Sequence, residues 1–422
     1  MLTDQEDNAA GESKKGAFSF FRQRPSIGDV IGGVSVALIL IPQAFAYADI
    51  AGLPPTSGLV AATLPLIFAA AFVSCPWLQT GPTAMTSLFT LGVLASMELQ
   101  DPADAVKIAS MLALVVGGTR LLMGLLKFGQ FVKFLKEPVI VGFTTAAAIL
   151  IVASQAGQLV GVDSGEPSVI KRAFGALSNT DAWSINAIVM SALCMAIILQ
   201  CRQIHKLFPG ILLAAIVAMV ISAITGYQQP LVEVASTSLT FSFDFPWQHL
   251  PRVLFSGIVI AVVGFAEPAS ISLTLTREVG ISWNASRELL GSGVANLTSA
   301  LVGGYPIGGS FSRTSVNQLA GSTTSWSGLI TGSIVLCFLP LVWTLKYMPK
   351  AALAAIIVLA VIRLIKVREI YGLFVQQPIW GAVALATLIA TLIAAPSIEY
   401  GIVFGVVLSL IVEKVTRKPI SG

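Results

Sequence analysis

Long apolar runs alternate with short polar breaks along this chain, and the runs approach the ~20 residues that a helix needs to cross a bilayer. Counting apolar length between breaks predicts an all-α polytopic membrane protein of about fourteen spans or half-spans. Their centres fall near Leu38, Pro65, Leu88, Val115, Ala147, Met195, Ala215, Val262, Ala295, Val316, Val335, Val358, Ala386 and Val407. Seven precede the segment from Gly226 to Leu250 and seven follow it. An odd number of crossings inverts the second copy, so the pattern is that of two inverted repeats, residues 29–225 and 251–415, joined by an extracytoplasmic linker over 226–250. Residues 1–28 and 416–422 are expected to be cytoplasmic tails.

In each half the third span is short and interrupted. Gly81-Pro82-Thr83 opens the one near Leu88, and Pro306-Ile307-Gly308-Gly309 opens the one near Val316, which is span ten. Interrupted spans in matching positions point to a site at the bilayer midplane, the alternative being a kink in two ordinary spans. The second interruption continues as YPIGGSFSRTSVN, Tyr305 to Asn317, between the apolar runs Leu289 to Val302 and Leu329 to Leu345. Ser312 and Arg313 therefore fall at membrane depth, where an arginine is costly and usually functional. A half-helix opening there aims unpaired N–H groups at a cavity. With serine hydroxyls and a guanidinium, these make an anion site that needs no metal. The alternative is that Arg313 pairs with backbone carbonyls or a carboxylate and locks two helices together.

Glu267, in GFAEPASIS, lies about halfway along the first span of the second half. A carboxylate at that depth must be protonated, paired or bound to a cation. Pairing with Arg313 would satisfy both, which leaves Glu267 as a coupling acid, a site organiser or half of a static ion pair. In the matching first-half span, Pro42 kinks the helix beside Gln43, which offers a donor and an acceptor. Phe45 and Tyr47 are candidate pocket walls, and Asp29 and Asp49 are expected at the membrane interface.

Composition agrees: 55% of residues are hydrophobic and 11% charged, too apolar for a soluble protein. The net charge of +4 gathers into no nucleic-acid patch. Basic residues cluster in the N-terminal tail, in the loops holding Lys127, Lys133 and Lys136, Arg202 and Lys206, Arg277 and Arg287, and Arg363, Lys366 and Arg368, and in the tail with Lys414, Arg417 and Lys418. All of these fall on one side, which is then cytoplasmic, with both termini; Lys171, Arg172, Lys346 and Lys350 are exceptions. Cys75, Cys194, Cys201 and Cys337 lack metal-site spacing and read as packing residues, while His205 and His249 read as surface residues. Neither a metal nor another cofactor is implied. No P-loop, HExxH or GxSxG occurs, so nothing supports an enzyme.

The runs LIPQAFAYADIAGLPPTSGL (Leu40 to Leu59), TGPTAMTSL (Thr80 to Leu88) and GGSFSRTSVN (Gly308 to Asn317) resemble the SulP sulfate permease family of anion transporters, over about Asp29 to Val415. The resemblance implies seven plus seven inverted spans, a core domain moving against a gate domain, and an anion held between the broken third and tenth spans. It puts Gln43 and Tyr47 along the site, Thr83 and Ala84 at one helix N-terminus, and Phe311, Ser312 and Arg313 at the other. Glu267 matches the family's acidic position.

The implied function is secondary active transport of an inorganic oxyanion, sulfate first, as H⁺ or Na⁺ symport or as anion exchange. The implied setting is the lipid of a bacterial inner membrane. A bicarbonate, chloride or dicarboxylate carrier is the alternative within transport, and an anion-binding sensor, channel or membrane motor the alternative outside it. Members usually carry a cytoplasmic STAS domain after the last span, whereas this sequence stops at Gly422, which leaves a homodimer open. Some bacterial relatives have a proton-linked glutamate where this chain has Gln43.

Overall fold

The computed structural model describes residues 24–97, 101–129, 136–162, 168–204, 208–232, 239 and 241–416. Most of the expected N-terminal tail, nearly all of the C-terminal one, His205 and part of the linker lie outside the described residues.

Helix boundaries follow local chemistry. Helix α1 (Ile27–Ile50) starts on a capping box in which Asp29 N donates to Ser26 Oγ and Ser26 N to Asp29 Oδ2. It runs through Pro42 and is stopped by the left-handed Gly52, φ +71. Helices α2 (Pro55–Ala61) and α3 (Leu64–Phe72) each carry a proline in the first turn, where no backbone donor is lost. Strand β1 (Thr80–Gly81) leads into α4 (Ala84–Ala95), and α5 (Pro102–Leu125) begins on an Asp101 cap. Helices α6 (Glu137–Val160), α7 (Val169–Ser178), α8 (Ile185–Ile204) and α9 (Gly210–Thr225) complete the first half.

In the second half, α10 (Leu250–Val263) and α11 (Ala266–Val279) are parted at Gly264. Helix α12 (Ala285–Leu301) follows an Asn284 cap, and strand β2 (Gly308–Gly309) leads into α13 (Phe311–Leu319). Helix α14 (Trp326–Phe338) tightens into a 3-10 stretch, Leu339–Tyr347, before α15 (Lys350–Val361), α16 (Val367–Gln376), α17 (Pro378–Ala394) and α18 (Glu399–Thr416).

Each of the span centres read from the sequence falls inside a helix. Among the described residues, seven helical stretches are long and apolar enough to cross a membrane by length and composition. Helices α7 and α16 were not anticipated. Each is short and two-faced, exposing Phe174 and Leu177, or Tyr371 and Val375, beside basic side chains. Helix α7 also carries Lys171 and Arg172, two of the exceptions to the charge bias.

The helices pack as two groups. In one, α12 lies on α5 and α3, α14 on α1 and α3, and α10 on α5. In the other, α17 lies on α6, α16 and α18, and α15 on α6 and α8. The pattern repeats between the halves when α1, α3, α5, α6, α8 and α9 are matched with α10, α12, α14, α15, α17 and α18. The contact of α1 with α14 then maps onto α10 with α5, α3 with α14 onto α12 with α5, α6 with α17 onto α15 with α8, and α8 with α9 onto α17 with α18. Every one of these contacts is present.

A close crossing joins α5 and α12 through Gly117 and Gly293. A Cβ on Gly117 would stand 2.6 Å from Leu297 N, and one on Gly293 2.7 Å from Leu121 N. Two backbones in contact gain dispersion without needing a hydrophobic drive, which lipid does not supply. Gly293→Val is accordingly expected to destabilise the fold by about 1–3 kcal/mol, read as a lowered unfolding midpoint in detergent micelles.

Candidate anion site

The antiparallel pairing of β1 with β2, Thr80 opposite Gly309 and Gly81 opposite Gly308, brings two chain breaks side by side. Each strand is followed within three residues by a helix, so the N-termini of α4 and α13 meet. Thr83 caps α4 through Thr86, whose backbone N–H it accepts at 3.3 Å. Ser310 precedes α13 with no side-chain cap, which leaves the first N–H groups of that helix without a side-chain partner.

A shell of buried polar groups fixes this arrangement from behind. Ile307 donates its N–H to Asn296 Oδ1 at 2.9 Å, and its carbonyl accepts from Asn296 Nδ2 and Arg120 Nη1 at 3.1 Å each. Ser299 Oγ donates to Tyr305 O and Ser110 Oγ to Gly304 O. On the other strand, Gln79 N donates to Thr314 Oγ1, and Gln79 O accepts from Ser310 N. Asn317 Nδ2 donates to Trp77 O at 3.0 Å.

Arg313 occupies the third position of α13 and is fully buried. Its guanidinium lies over the backbone of β1. A Cβ on Gly81 would stand 3.3 Å from Nη2, and the φ of +151 there also favours glycine. Among the described residues, Nε, Nη1 and Nη2 have no hydrogen-bond acceptor. Tyr47, Glu267 and Tyr305 are the groups that act on it electrostatically. The expected direct pairing of Glu267 with Arg313 is not formed. Glu267 stands in the first turn of α11, half-buried beyond the break at Gly264, and the ion pairs among the described residues are elsewhere.

The other predicted residues stand as follows. Gln43 is buried one turn before Tyr47 on α1, and its Oε1 has no donor among the described residues. Thr83 is the N-cap of α4 and Ala84 its first residue, both buried. Phe311 and Ser312 open α13 and are exposed. Ser312 Oγ is 3.3 Å from Ser310 Oγ. Tyr305 opens the same motif. It is buried, and its hydroxyl meets Ser87 Oγ of α4 at 3.3 Å, tying the two broken segments together.

Two buried residues bond more widely than their place in the sequence suggests. Asp29 is fully buried in protein, and its carboxylate accepts from Ser322 Oγ and from the N–H groups of Thr323 and Thr324, each at 2.8 or 2.9 Å. Arg120, inside the apolar helix α5, is also fully buried and donates to Ala261 O, Ser292 Oγ, Ile307 O and Ile260 O. The rule that flagged Arg313 applies equally to Arg120, whose signal was the charge within its apolar run.

A family model described as the sulfate permease family matches residues 27–399. The chain belongs to the sulfate permease family. It is 32% identical over 359 residues to the chloroplastic sulfate transporter 4.1 of Arabidopsis thaliana, an alignment covering 81% of this chain and 52% of that protein. The chain thus spans about half the length of that relative. Among solved structures, SLC26A9 superposes with a TM-score of 0.87 at 18% identity, covering 98% of this chain and 71% of the other. The transmembrane domain of the cyanobacterial bicarbonate transporter BicA superposes with a TM-score of 0.77 at 24% identity, covering 91% and 97%. These two likenesses establish the fold: this family member is a helical membrane protein of the same architecture.

The two buried arginines make opposite predictions. Arg120→Ala removes four buried hydrogen bonds that tie α5 to α10, α12 and Ile307, and is expected to cost about 3–5 kcal/mol of stability. Arg313→Ala breaks no such bond and should leave the unfolding midpoint within about 1 kcal/mol of the native chain. Parallel thermal unfolding checks both, and equal losses would make Arg313 a structural lock as well.

Proposed function

We propose that this sulfate permease family member is a secondary active transporter that moves an oxyanion, sulfate first, by alternating access between its two helix groups. The observation that carries the reading is Arg313. A guanidinium buried without an acceptor is strongly disfavoured unless an anion completes it, and this one sits where two helix N-termini converge. Arg313 supplies charge, the free N–H groups of α13 and the Ser312 hydroxyl supply direction, and Gln43 adds a further polar contact. Thr83 and Ala84 form the opposing helix end, while Tyr47 and Phe311 wall the pocket. Glu267 orients the guanidinium through its field.

The matched contacts of the two halves support fourteen spans in two inverted repeats, with α4 and α13 as the half-helices of spans three and ten. In this reading α1–α5 and α10–α14 form the core domain that carries the site, and α6–α9 and α15–α18 form the gate. Both termini face the cytoplasm, in a bacterial inner membrane. The driving force is H⁺ or Na⁺ symport or anion exchange, and a homodimer is the assembly the family implies. The family and the name of the Arabidopsis relative favour sulfate as the first reading. Bicarbonate is the second reading, favoured by the likeness to BicA.

Uptake of radiolabelled sulfate into proteoliposomes tests this. The native chain is expected to accumulate label, and Arg313→Ala to lose at least about tenfold of its uptake, the scale of one charge-assisted hydrogen bond. If sulfate neither enters nor competes with bicarbonate, chloride or dicarboxylates, the sulfate assignment fails.

A further inference from the structure

Polar contact between the two helix groups is sparse. Between described residues, two side-chain hydrogen bonds join their helices, Gln158 Nε2 to Asp49 Oδ2 and Ser256 Oγ to Glu399 Oε1, each 3.2 Å. Both lie at the same end of the bundle. Asp49 and Gln158 are in the last turns of α1 and α6, Ser256 is in the second turn of α10, and Glu399 opens α18. Gly52, just beyond α1, packs near Leu91 of α4, and the next residue, Gly92, packs against Pro396 and Glu399.

The two carboxylates differ in what surrounds them. Asp49 has a cation acting on it, Lys350 at the start of α15. Glu399 is 3% exposed, and its Oε2 is buried without a hydrogen-bond partner among the described residues. A Cβ on Gly92 would stand 3.6 Å from that oxygen, so Oε2 lies against the α4 backbone. Helices α4 and α17 carry no ionisable side chain, and α6 carries Glu137 alone, at its opposite end. On α10 the ionisable residue is Arg252, which is exposed and forms no ion pair with Glu399. On α18 itself, Tyr400 is exposed, and Glu413 and Lys414 lie at the far end.

We propose that Glu399 is a proton-binding site that closes this end of the transporter: as the neutral acid it seats between α4 and α10, and it leaves for water when it gives up its proton. The inference rests on the reading that the two helix groups move against one another. An ionised carboxylate in this slot would have the Ser256 bond, its own backbone N–H and the N-terminal end of α18, but no counter-charged side chain, and burial makes that costly. The neutral acid keeps the Ser256 bond through Oε1 and carries no charge to desolvate. Closing this end therefore takes up a proton from the water that bathes it, and opening returns the proton to the same water. Low pH favours the closed arrangement and high pH the open one.

The test uses the full chain in lipid nanodiscs, with Cys337→Ser removing the exposed thiol and spin labels on Leu254→Cys of α10 and Phe404→Cys of α18. Both labelled positions are exposed, and the three remaining native cysteines are buried. Pulsed dipolar spectroscopy reads the label separation from about pH 5 to about pH 9, a window that spans the carboxylate and histidine ranges. With Glu399 intact, the ratio of long to short separations should rise with pH, by up to about tenfold per unit for a single proton. Glu399→Gln, neutral at every pH and still able to accept from Ser256, should remain short throughout. Glu399→Ala should be long throughout. A distribution that ignores pH in the native chain, or a Glu399→Gln chain that titrates like the native one, overturns the assignment. Sulfate uptake by the same preparations separates the two readings. Distances that respond to pH without uptake keep the latch and remove the substrate assignment, and uptake with pH-blind distances does the reverse.

Discussion

Two residue pairs of antiparallel backbone, Thr80 with Gly309 and Gly81 with Gly308, are what the rest of the molecule is arranged to hold. An isolated two-residue ladder has no stability of its own. Here it persists because every chain segment around it is anchored to a helix that crosses behind. Asn296 and Arg120 grip Ile307, Ser299 grips Tyr305, and Thr314 and Ser310 grip Gln79. The ladder points two helix N-termini at one volume, and opposing N-termini repel a cation and attract an anion. Placing Arg313 there adds positive charge to positive potential, an arrangement that costs free energy until a negative charge arrives.

The two buried arginines show how that cost is recognised. Arg120 and Arg313 are both fully buried in helices of one packing group, so burial does not distinguish them. Their partners do. Arg120 spends its donors on three backbone carbonyls and a serine, two of those carbonyls at the end of α10 where the helix breaks at Gly264. It does what an arginine does as a lock, tying the end of α10 to α12 and to Ile307. Arg313, with no acceptor among the described residues, holds nothing together. A residue conspicuous for being unsatisfied in a shell that is otherwise densely hydrogen-bonded belongs to the ligand's side of the ledger.

Much of this was legible in the chain. Apolar length located the helices, and the proline and glycine pairs at Gly81-Pro82 and Pro306 to Gly309 located the two breaks, because nothing else in an apolar run ends a helix so sharply. Arg313 stood out as a charge without a reason to be there. What escaped were features that depend on the third dimension. Asp29 looks interfacial at the edge of an apolar run, and its burial follows from the return of residues 322–324 onto the start of α1. The gap between Glu267 and Arg313 is set by the break at Gly264, which shifts Glu267 from mid-span to a helix start. Arg120 was readable by the same rule as Arg313, but its four acceptors come from three separate stretches and no local pattern announces them. Helices α7 and α16 are too short and too mixed in polarity for a search by apolar length.

The distribution of polar bonds also separates what is rigid from what is free to shift. Within the group that bears the site, buried side chains bond across α1, α5, α10, α12, α13 and α14, so this unit has little freedom to rearrange internally. Between the groups the contacts are mainly apolar, which slide at small cost because dispersion has no direction. A hydrogen bond does have direction, so the two carboxylate bonds at one end of that interface are the contacts whose geometry a relative motion cannot preserve. That both involve an acid makes the resistance to motion depend on proton concentration, although the site whose access it governs is built by entirely different residues.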